Sequence, residues 1–144
     1  MTDHHATGQA AFRGAKLMLF LGPRLLVIRR DDKAGIPWPG FLDFPGGGRE
    51  GDESPEDCAL RETREEVGLT VTKASLVWRH AREADAGRNW FFAAHLPETR
   101  VTDVHLGSEG TSWTLMAPAA FLERGDAIPH FRDMLRLYLA EHQT

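Results

Sequence analysis

The stretch at residues 47–69 reads GGREGDESPEDCALRETREEVGL and contains signals for the beginning and the end of a helix. Ser54 has a side chain that can cap the first turn, and Pro55 suits the first helical position. The acidic residues that follow favour the positive end of the helix dipole. Gly68 is a residue type that readily adopts the left-handed conformation at a helix end. The sequence therefore predicts a helix from Pro55 to Val67, preceded by a glycine-rich loop.

The two faces of this helix differ in character. Leu60, Thr63 and Val67 fall within about 60° of one another on a helical wheel and predict the buried face. Cys58 falls toward the other side, which predicts a half-buried thiol. The face opposite the buried one carries three glutamates, Glu62, Glu65 and Glu66. Like charges at this spacing destabilise a helix by about 0.2–0.5 kcal/mol per pair. The face is therefore either a solvated acidic surface or a site where carboxylates bind cations.

The negative charge of the chain is concentrated in the same stretch. The 144 residues contain 17 basic and 21 acidic side chains, a formal net charge of −4. Residues 50–66 hold eight acidic and two basic side chains, a net charge of −6, and the rest of the chain carries +2. A chain without a broad basic surface is not expected to bind a DNA duplex. Converging carboxylates suit Mg²⁺, with Mn²⁺ as a substitute, and these ions commonly bridge a protein to substrate phosphates. The pattern indicates metal-assisted hydrolysis of a phosphoanhydride.

The remaining composition is that of one ordinary globular domain. Hydrophobic residues make up 42% of the chain and charged residues 26%, and the length suits a single core. One cysteine excludes a disulfide framework and a zinc site built from several thiolates. The apolar runs are too short to span a bilayer, and the first residues lack the apolar core of a signal peptide. We therefore expect a cytoplasmic protein with a loose segment at residues 1–9 and one domain at residues 10–144.

Strands and further helices are expected on both sides of the glycine-rich loop. Two apolar runs around Leu21–Arg24 predict an antiparallel hairpin within residues 13–30. Downstream, strands are predicted at residues 71–79, 89–96 and 112–116, with a polar loop at 81–88, a short helix at 117–122 and a closing helix at 129–141. This mixture of strands and helices implies an α/β or α+β sandwich.

The spacing of certain residues resembles a known family signature. Gly47 is followed after five residues by Glu53, and after seven more by Arg61-Glu62-Thr63-Arg64-Glu65-Glu66-Val67-Gly68-Leu69. The pattern resembles the Nudix box, G-x5-E-x7-R-E-U-x-E-E-x-G-U with U a bulky aliphatic residue, and all seven of its fixed residues are present. Thr63 is the loose fit, and its β-branched side chain can replace an aliphatic one. The resemblance to Nudix hydrolases implies an α/β/α sandwich with a mixed β-sheet between helices.

The resemblance also implies roles for individual residues. Metal ligands are implied at four positions: the backbone carbonyl of Gly46 and the carboxylates of Glu62, Glu65 and Glu66. Arg61 resembles the arginine that orients a carboxylate of the box, and Glu53 resembles the glutamate that supports the metal cluster. The general base in family members is a glutamate of the box, here Glu65, or one on a distant loop. Glu109 precedes a strand led by a tryptophan, as such a loop glutamate often does, and a solvent-exposed loop acid is the alternative.

Residues close to the glycine-rich loop are candidates for substrate contacts. Arg29 and Arg30 end a predicted strand, where they can bind substrate phosphates. The alternative is that they are solvated bases at a strand end. Trp38 and Phe44, together with Phe41, precede the glycines and can stack on a nucleobase. Burial in the core is the alternative for these aromatic residues.

Markers of several Nudix subfamilies are missing from the chain. No proline lies between Pro55 and Pro97, where ADP-ribose pyrophosphatases have one, and the single tyrosine, Tyr138, is not the one typical of diadenosine polyphosphate hydrolases. The run Phe44–Gly47 is similar to that of mutator-type nucleoside triphosphate pyrophosphohydrolases. The resemblance therefore implies a nucleoside triphosphate substrate. Nucleotide sugars or RNA 5′ ends are alternative substrates, and a non-catalytic nucleotide-sensing module is the alternative function. Many relatives are dimers, which leaves a homodimer open.

Overall fold

A mixed β-sheet forms the centre of the protein. The computed structural model describes residues 11–142, which contain seven strands and three α-helices. The strands are β1 (Phe12–Leu21), β2 (Arg24–Arg29), β3 (Leu42–Asp43), β4 (Gly46–Gly48), β5 (Leu76–Ala84), β6 (Gly87–Leu96) and β7 (Ser112–Met116). The helices are α1 (Pro55–Val67), α2 (Pro118–Leu122) and α3 (Pro129–Glu141). Short 3-10 helices lie at Lys73–Ser75 and Glu98–Asp103.

The strand order brings the glycine-rich loop to the middle of the sheet. The order is β3-β2-β1-β6-β5, with β4 paired to β1 and β7 paired to β2. The expected hairpin is present, since β1 and β2 pair antiparallel with Phe20 opposite Leu25. β1 and β6 are parallel, with Lys16 opposite Phe91. β4 runs antiparallel to β1 with Gly46 opposite Lys16, which fixes the glycines beside the central strand.

Successive side chains of β1 point to opposite faces of the sheet and form two separate cores. Leu17 packs in the core that includes Val67 of α1. Met18 packs in the other core, together with Phe121 of α2 and Leu135 of α3. Helix α1 therefore covers one face of the sheet, and α2 and α3 cover the other. This arrangement confirms the α/β/α sandwich with a mixed β-sheet between helices.

The helix predicted at residues 55–67 is confirmed at both ends. The Oγ of Ser54 accepts a hydrogen bond from the backbone N–H of Asp57 at 3.1 Å, and Pro55 occupies the first turn. The backbone of Gly68 is left-handed, with φ of 76°. Local residue preferences therefore determine this element, and its packing adds a buried face that holds it to the sheet.

The buried face of α1 differs from the expected one. Cys58, Ala59, Thr63 and Val67 are fully buried, whereas Leu60 is only half-buried. The prediction of a half-buried Cys58 is wrong because β4 lies against this side of the helix. The Sγ of Cys58 contacts the carbonyl oxygen of Gly47 at 3.5 Å. Burial raises the pKa of this thiol to about 11.

The predicted loop at residues 81–88 is wrong. β5 continues to Ala84 and β6 begins at Gly87, so the two strands extend through most of this polar stretch. β5 is at the edge of the sheet, where polar side chains can reach solvent without breaking the backbone pairing. Glu83 and Arg88 are direct cross-strand partners and form an ion pair. Cross-strand charge pairing therefore takes the place of the apolar alternation on which the prediction of strands depends.

The other boundaries agree more closely. β5 begins at Leu76 instead of residue 71 because the 3-10 helix Lys73–Ser75 precedes it. β7 and α3 have the predicted bounds, and α2 begins one residue late at Pro118. None of the helices within residues 11–142 is long and apolar enough to cross a membrane. The loose segment expected at residues 1–9 lies outside the described residues.

Candidate active site

Glutamates of α1 meet a glutamate from a distant loop in one cleft. The cleft has a volume of about 220 Å³ and is lined by six residues, Glu50, Glu62, Glu65, Glu66, Ser108 and Glu109. We call it the glutamate cleft. The structure thus places Glu109 beside the three glutamates of the helix. Glu50 also lines the cleft, although the sequence analysis assigns it no role. Its position three residues before Glu53 was the feature of the sequence that could have indicated this.

Hydrogen bonds from the loop before β7 hold Glu109 in this position. The backbone N–H of His105 donates to the carbonyl of Val67 at 3.0 Å, and that of Gly107 donates to the carbonyl of Glu66 at 2.8 Å. These carbonyls belong to the last turn of α1 and have no partner within the helix. A Cβ on Gly107 would lie only 2.3 Å from the carbonyl oxygen of Glu65. The glycine therefore allows the loop to approach the helix closely enough to deliver Glu109.

Arg61 connects the carboxylates around the helix. Its guanidinium donates through Nε and Nη2 to both oxygens of Glu53, with the Nη2 bond at 3.0 Å. The same group contacts Glu62 at 3.3 Å and Glu65 at 3.1 Å, and it donates to the carbonyl of Gly48 at 3.0 Å. The hydrogen bond from Arg61 lowers the pKa of Glu53, and Glu53 in turn raises the pKa of Arg61. Arg61 therefore fixes the positions of the acids and offsets part of their repulsion.

Among the acids of the cleft, Glu66 has the pKa that is shifted most from its ordinary value. Its Oε1 accepts a hydrogen bond from the backbone N–H of Gly46 at 2.8 Å. Burial raises the pKa of Glu66 to about 7, against the opposing effects of Lys16 and of the Gly46 hydrogen bond. Burial also raises the pKa of Glu62. The carbonyl of Gly46, an implied metal ligand, accepts a hydrogen bond from Nζ of Lys16 at 3.2 Å.

The oxygen donors of the glutamate cleft fit a hard divalent cation in kind. Carboxylates are the ligands that Mg²⁺ and Mn²⁺ prefer in proteins. In the conformation described for residues 11–142, however, no three His, Cys, Asp or Glu side chains are arranged to hold one ion. Arg61 binds Glu62 and Glu65, and the amide of Gly46 binds Glu66. Binding of a cation therefore requires these carboxylates to turn toward the cleft.

One further cavity shares lining residues with the glutamate cleft, and a second cavity shares lining residues with the first. One has a volume of about 210 Å³ and is lined by Glu66 and Glu109 as well as by Arg30 and Asp43. The other has a volume of about 340 Å³, is also lined by Arg30 and Asp43, and contains four aromatic rings, those of Trp38, Phe91, His130 and Phe131. We call this second cavity the aromatic pocket. Arg30 and Asp43 therefore lie at the junction between the carboxylates and the rings.

Asp43 is a buried acid that the sequence analysis missed. It is only 5% exposed, and it pairs with Lys16 at 3.0 Å and with Nη1 of Arg30 at 2.9 Å. Its Oδ1 also accepts a hydrogen bond from the backbone N–H of Phe44 at 2.7 Å. The carboxylate is thus surrounded by donors from three strands or loops. No local pattern in the sequence predicts that Asp43 forms these ion pairs, because Lys16 and Arg30 are distant from it in the sequence.

Two of the predicted substrate contacts lie in these cavities. Arg30 lines both the aromatic pocket and the neighbouring cavity. Trp38 lines the aromatic pocket and is 40% exposed. Trp38 is therefore accessible to a ligand that extends from the glutamate cleft into the aromatic pocket, whereas Arg30 reaches the same cavities as the partner of Asp43.

The other two predicted contacts are engaged elsewhere. Phe44 is fully buried and stacks on Phe131 at a ring distance of 4.9 Å, so the core alternative describes it and it has no surface for a substrate. Arg29 binds Asp126 at 3.1 Å and the carbonyl of Gly40 at 2.7 Å. It ties two loops together because it ends β2 between them.

The fold and the site together define a class of protein. A mixed sheet between helical layers supports a helix with three glutamates on one face, and a glycine-rich strand lies against that helix. Residues 12–138 match the model of the NUDIX domain family, and this match covers most of the chain. The chain therefore belongs to the Nudix family.

Several known proteins are similar to this chain. A segment of 38 residues is 50% identical to an 8-oxo-dGTP diphosphatase of Proteus vulgaris and covers 26% of this chain and 34% of that relative. A segment of 79 residues is 34% identical to a CTP pyrophosphohydrolase of Escherichia coli and covers 50% of this chain and 58% of that relative. The matches thus span between about one third and three fifths of these curated relatives. The crystal structure of a MutT protein from Methanosarcina mazei superposes with a TM-score of 0.74 at 20% identity, over 94% of this chain and 99% of that one.

Proposed function

We propose that the protein is a metal-dependent Nudix pyrophosphohydrolase that acts on nucleoside triphosphates. One observation carries the proposal: five glutamates line a single cleft that shares residues, through one intervening cavity, with a pocket lined by aromatic rings. Such an arrangement suits a substrate with phosphates at one end and a planar base at the other. The name of the Escherichia coli relative, a CTP pyrophosphohydrolase, supports the same class of substrate.

The acids of the cleft have separate tasks in this proposal. Glu62, Glu65 and Glu66, with the carbonyl of Gly46, are the groups that would hold Mg²⁺ or Mn²⁺. Such an ion, when bound, neutralises phosphate charge and polarises the bond that breaks. Arg61 orients Glu62 and Glu65 through the contacts described above, and Glu53 anchors Arg61.

The remaining task is proton transfer. A water molecule attacks one phosphorus of the anhydride, the bond from that phosphorus to the bridging oxygen breaks, and pyrophosphate leaves. A carboxylate accepts the proton that the water loses. Glu109 and Glu65 are the candidates, because both line the cleft and both are exposed to the solvent that supplies the water.

Turnover assays test the proposal. Purified protein is incubated with Mg²⁺, Mn²⁺ or EDTA and with nucleoside triphosphates, nucleotide sugars and triphosphorylated RNA. Chromatography measures the nucleoside monophosphate formed from the nucleotides and the pyrophosphate released from the RNA. We expect metal-dependent release from at least one triphosphate. Glu66→Gln is expected to lower kcat more than about 100-fold. Glu123→Gln, an exposed position on the opposite side of the sheet, is the matched control and should change kcat less than twofold.

Three outcomes would contradict parts of the proposal. Turnover by none of the substrates would favour a nucleotide-sensing module. An unchanged kcat in Glu66→Gln would show that the glutamate cleft is not the catalytic site. A loss under twofold in Glu109→Gln would remove Glu109 as the general base and leave Glu65.

A further inference from the structure

The walls of the aromatic pocket are positioned to hold a planar ring. Trp38 has a backbone φ of 51°, the one positive φ at a non-glycine residue within residues 11–142. This conformation is unfavourable for a bulky residue and persists only where the surroundings fix it. The carbonyl of Pro37 accepts a hydrogen bond from Nε of Arg30 at 2.9 Å, and the indole packs on Phe41 at 5.1 Å. The indole is thereby held beside His130 at the rim of the pocket, with 6.4 Å between ring centres and 59° between ring planes.

Two polar side chains reach the same pocket from neighbouring strands. Arg82 of β5 and Asn89 of β6 are direct cross-strand partners, so their side chains lie on the same face of the sheet. Both line the aromatic pocket and both are half-buried. Within residues 11–142, neither side chain has a hydrogen bond or an ion pair. Because both side chains are partly exposed in the pocket, their donors and acceptors are available to a ligand.

Each of the other cations of the pocket has a partner within the chain. Lys16 and Arg30 are paired with Asp43, and Nη1 of Arg13 donates to the carbonyl of Ala86 at 2.8 Å. Burial, together with nearby Arg82, lowers the pKa of His130 and so disfavours the charged form of its imidazole. Among the described side chains, Arg82 is therefore the cation of the pocket that has neither a hydrogen bond nor an ion pair.

We propose that Arg82 is a specificity determinant that selects bases with an exocyclic keto oxygen at the edge facing β5 and β6, and that Asn89 binds the same edge without discriminating between oxygen and amine. A guanidinium has donors and no acceptor, whereas an amide has both. An exocyclic amine placed against Arg82 would bring the N–H groups of the base next to those of the guanidinium in a half-buried position. Neither group could then form a hydrogen bond with the other. This inference rests on the proposed function, because it assigns the ring of the nucleotide to the aromatic pocket.

Matched nucleotides change this edge and keep the rest of the nucleotide the same. ITP and ATP differ at the exocyclic oxygen or amine and at the proton on the neighbouring ring nitrogen of the purine, and UTP and CTP differ in the same way at the pyrimidine. The wild-type protein should have a kcat/KM at least about tenfold higher for the keto member of each pair. Arg82→Gln should bring each ratio within about threefold of unity, because an amide can also accept a hydrogen bond from the amine. Arg24→Gln, an exposed arginine at the β1–β2 turn, is the control and should keep the wild-type ratios.

A second variant uses the other member of the pair. Asn89→Ala should lower kcat/KM for both members of each pair by a similar factor, about three- to tenfold, because an amide satisfies either edge. Wild-type ratios near unity, a preference for CTP and ATP, or unchanged ratios in Arg82→Gln would each overturn the proposal.

Binding without turnover distinguishes this inference from the proposed function. Isothermal titration with IMP and AMP in EDTA needs no catalysis, and IMP should bind about tenfold more tightly. If the protein hydrolyses nothing but keeps this preference, the base pocket stands and the catalytic proposal fails. If Arg82→Gln weakens the binding of pyrophosphate alone, Arg82 contacts the phosphate chain and the base assignment is overturned.

Discussion

The glutamate cleft contains a half-buried carboxylate, that of Glu66, and the aromatic pocket contains a buried one, that of Asp43, and the two are stabilised in different ways. Asp43 at the pocket is surrounded by Lys16, by Arg30 and by a backbone N–H, all within 3.0 Å of one of its oxygens. Glu66 at the cleft accepts one backbone hydrogen bond, from Gly46. Burial raises the pKa of Glu66 to about 7 even though Lys16 opposes this effect.

The difference shows how the chain divides its functions. In the aromatic pocket, Lys16 and Arg30 neutralise the charge of Asp43, so this carboxylate needs no added cation. The cleft leaves an excess of acid around one guanidinium, which costs folding stability and favours the binding of a cation. Stability measurements on the two acids therefore test the comparison directly, because their removal has opposite expected signs.

Asp43→Asn should produce the largest effect. The substitution keeps the shape but leaves Lys16 and Arg30 beside a neutral amide in a buried position. Removing one partner of a buried ion pair typically costs about 3–5 kcal/mol, so the free energy of unfolding should fall by that order. Urea unfolding followed by circular dichroism measures it. Asp133→Asn, which breaks an exposed pair with Arg136, should cost less than about 1 kcal/mol. A similar loss of stability in both variants would show that the ion pairs of Asp43 contribute no more to stability than an exposed pair.

Glu66→Gln should stabilise the metal-free protein at high pH. The raised pKa means that the folded state holds the proton more tightly than the unfolded chain, so stability is lost as pH rises from about 4.5 to about 7. Glutamine can still accept the hydrogen bond from Gly46 without an ionisation cost. At pH 8 in EDTA the gain should be about 1–3 kcal/mol, and it should vanish near pH 4.

Thermal unfolding at both pH values, with Glu65→Gln as the exposed control, measures this effect. The side chain of Glu65 is 52% exposed, so its replacement should change stability little at either pH. Destabilisation by Glu66→Gln at pH 8 would contradict the comparison, because it would mean that the charge of Glu66 is well compensated within the chain.

The glutamate cleft is easier to predict from the sequence than the aromatic pocket, and the reason is physical. The cap at Ser54, the left-handed Gly68 and the spacing of the glutamates are local features, and local preferences fix that helix. Arg82 lies in the polar stretch 81–88 that predicts a loop, and Asn89 is the first residue of the strand predicted after it. They become neighbours only because β5 and β6 continue through it with charged cross-strand pairs.

The sequence also does not predict which aromatic residues before the glycine-rich loop are buried. Phe44 and Trp38 are both aromatic residues before the glycines, yet one is fully buried and the other is 40% exposed. The difference arises from packing between distant elements, since Phe44 meets Phe121 and Phe131 on the far side of the sheet. Sequence spacing cannot supply these contacts, and it left both alternatives open.

Gly107→Ala should have the smallest effect on stability and should act on the cleft alone. The added methyl group would lie 2.3 Å from the carbonyl oxygen of Glu65, so the loop that carries Glu109 must move away from α1. Such overpacking costs about 1–3 kcal/mol, and a loop can relieve the strain at the low end of that range. Gly125→Ala is the control, because nothing lies within 4 Å of the position that its added methyl group would take. We expect Gly107→Ala to lower kcat about tenfold while the ITP to ATP ratio of kcat/KM stays unchanged. A change in that ratio would mean that the cleft and the pocket are coupled through this loop, and the division of functions between them would then be wrong.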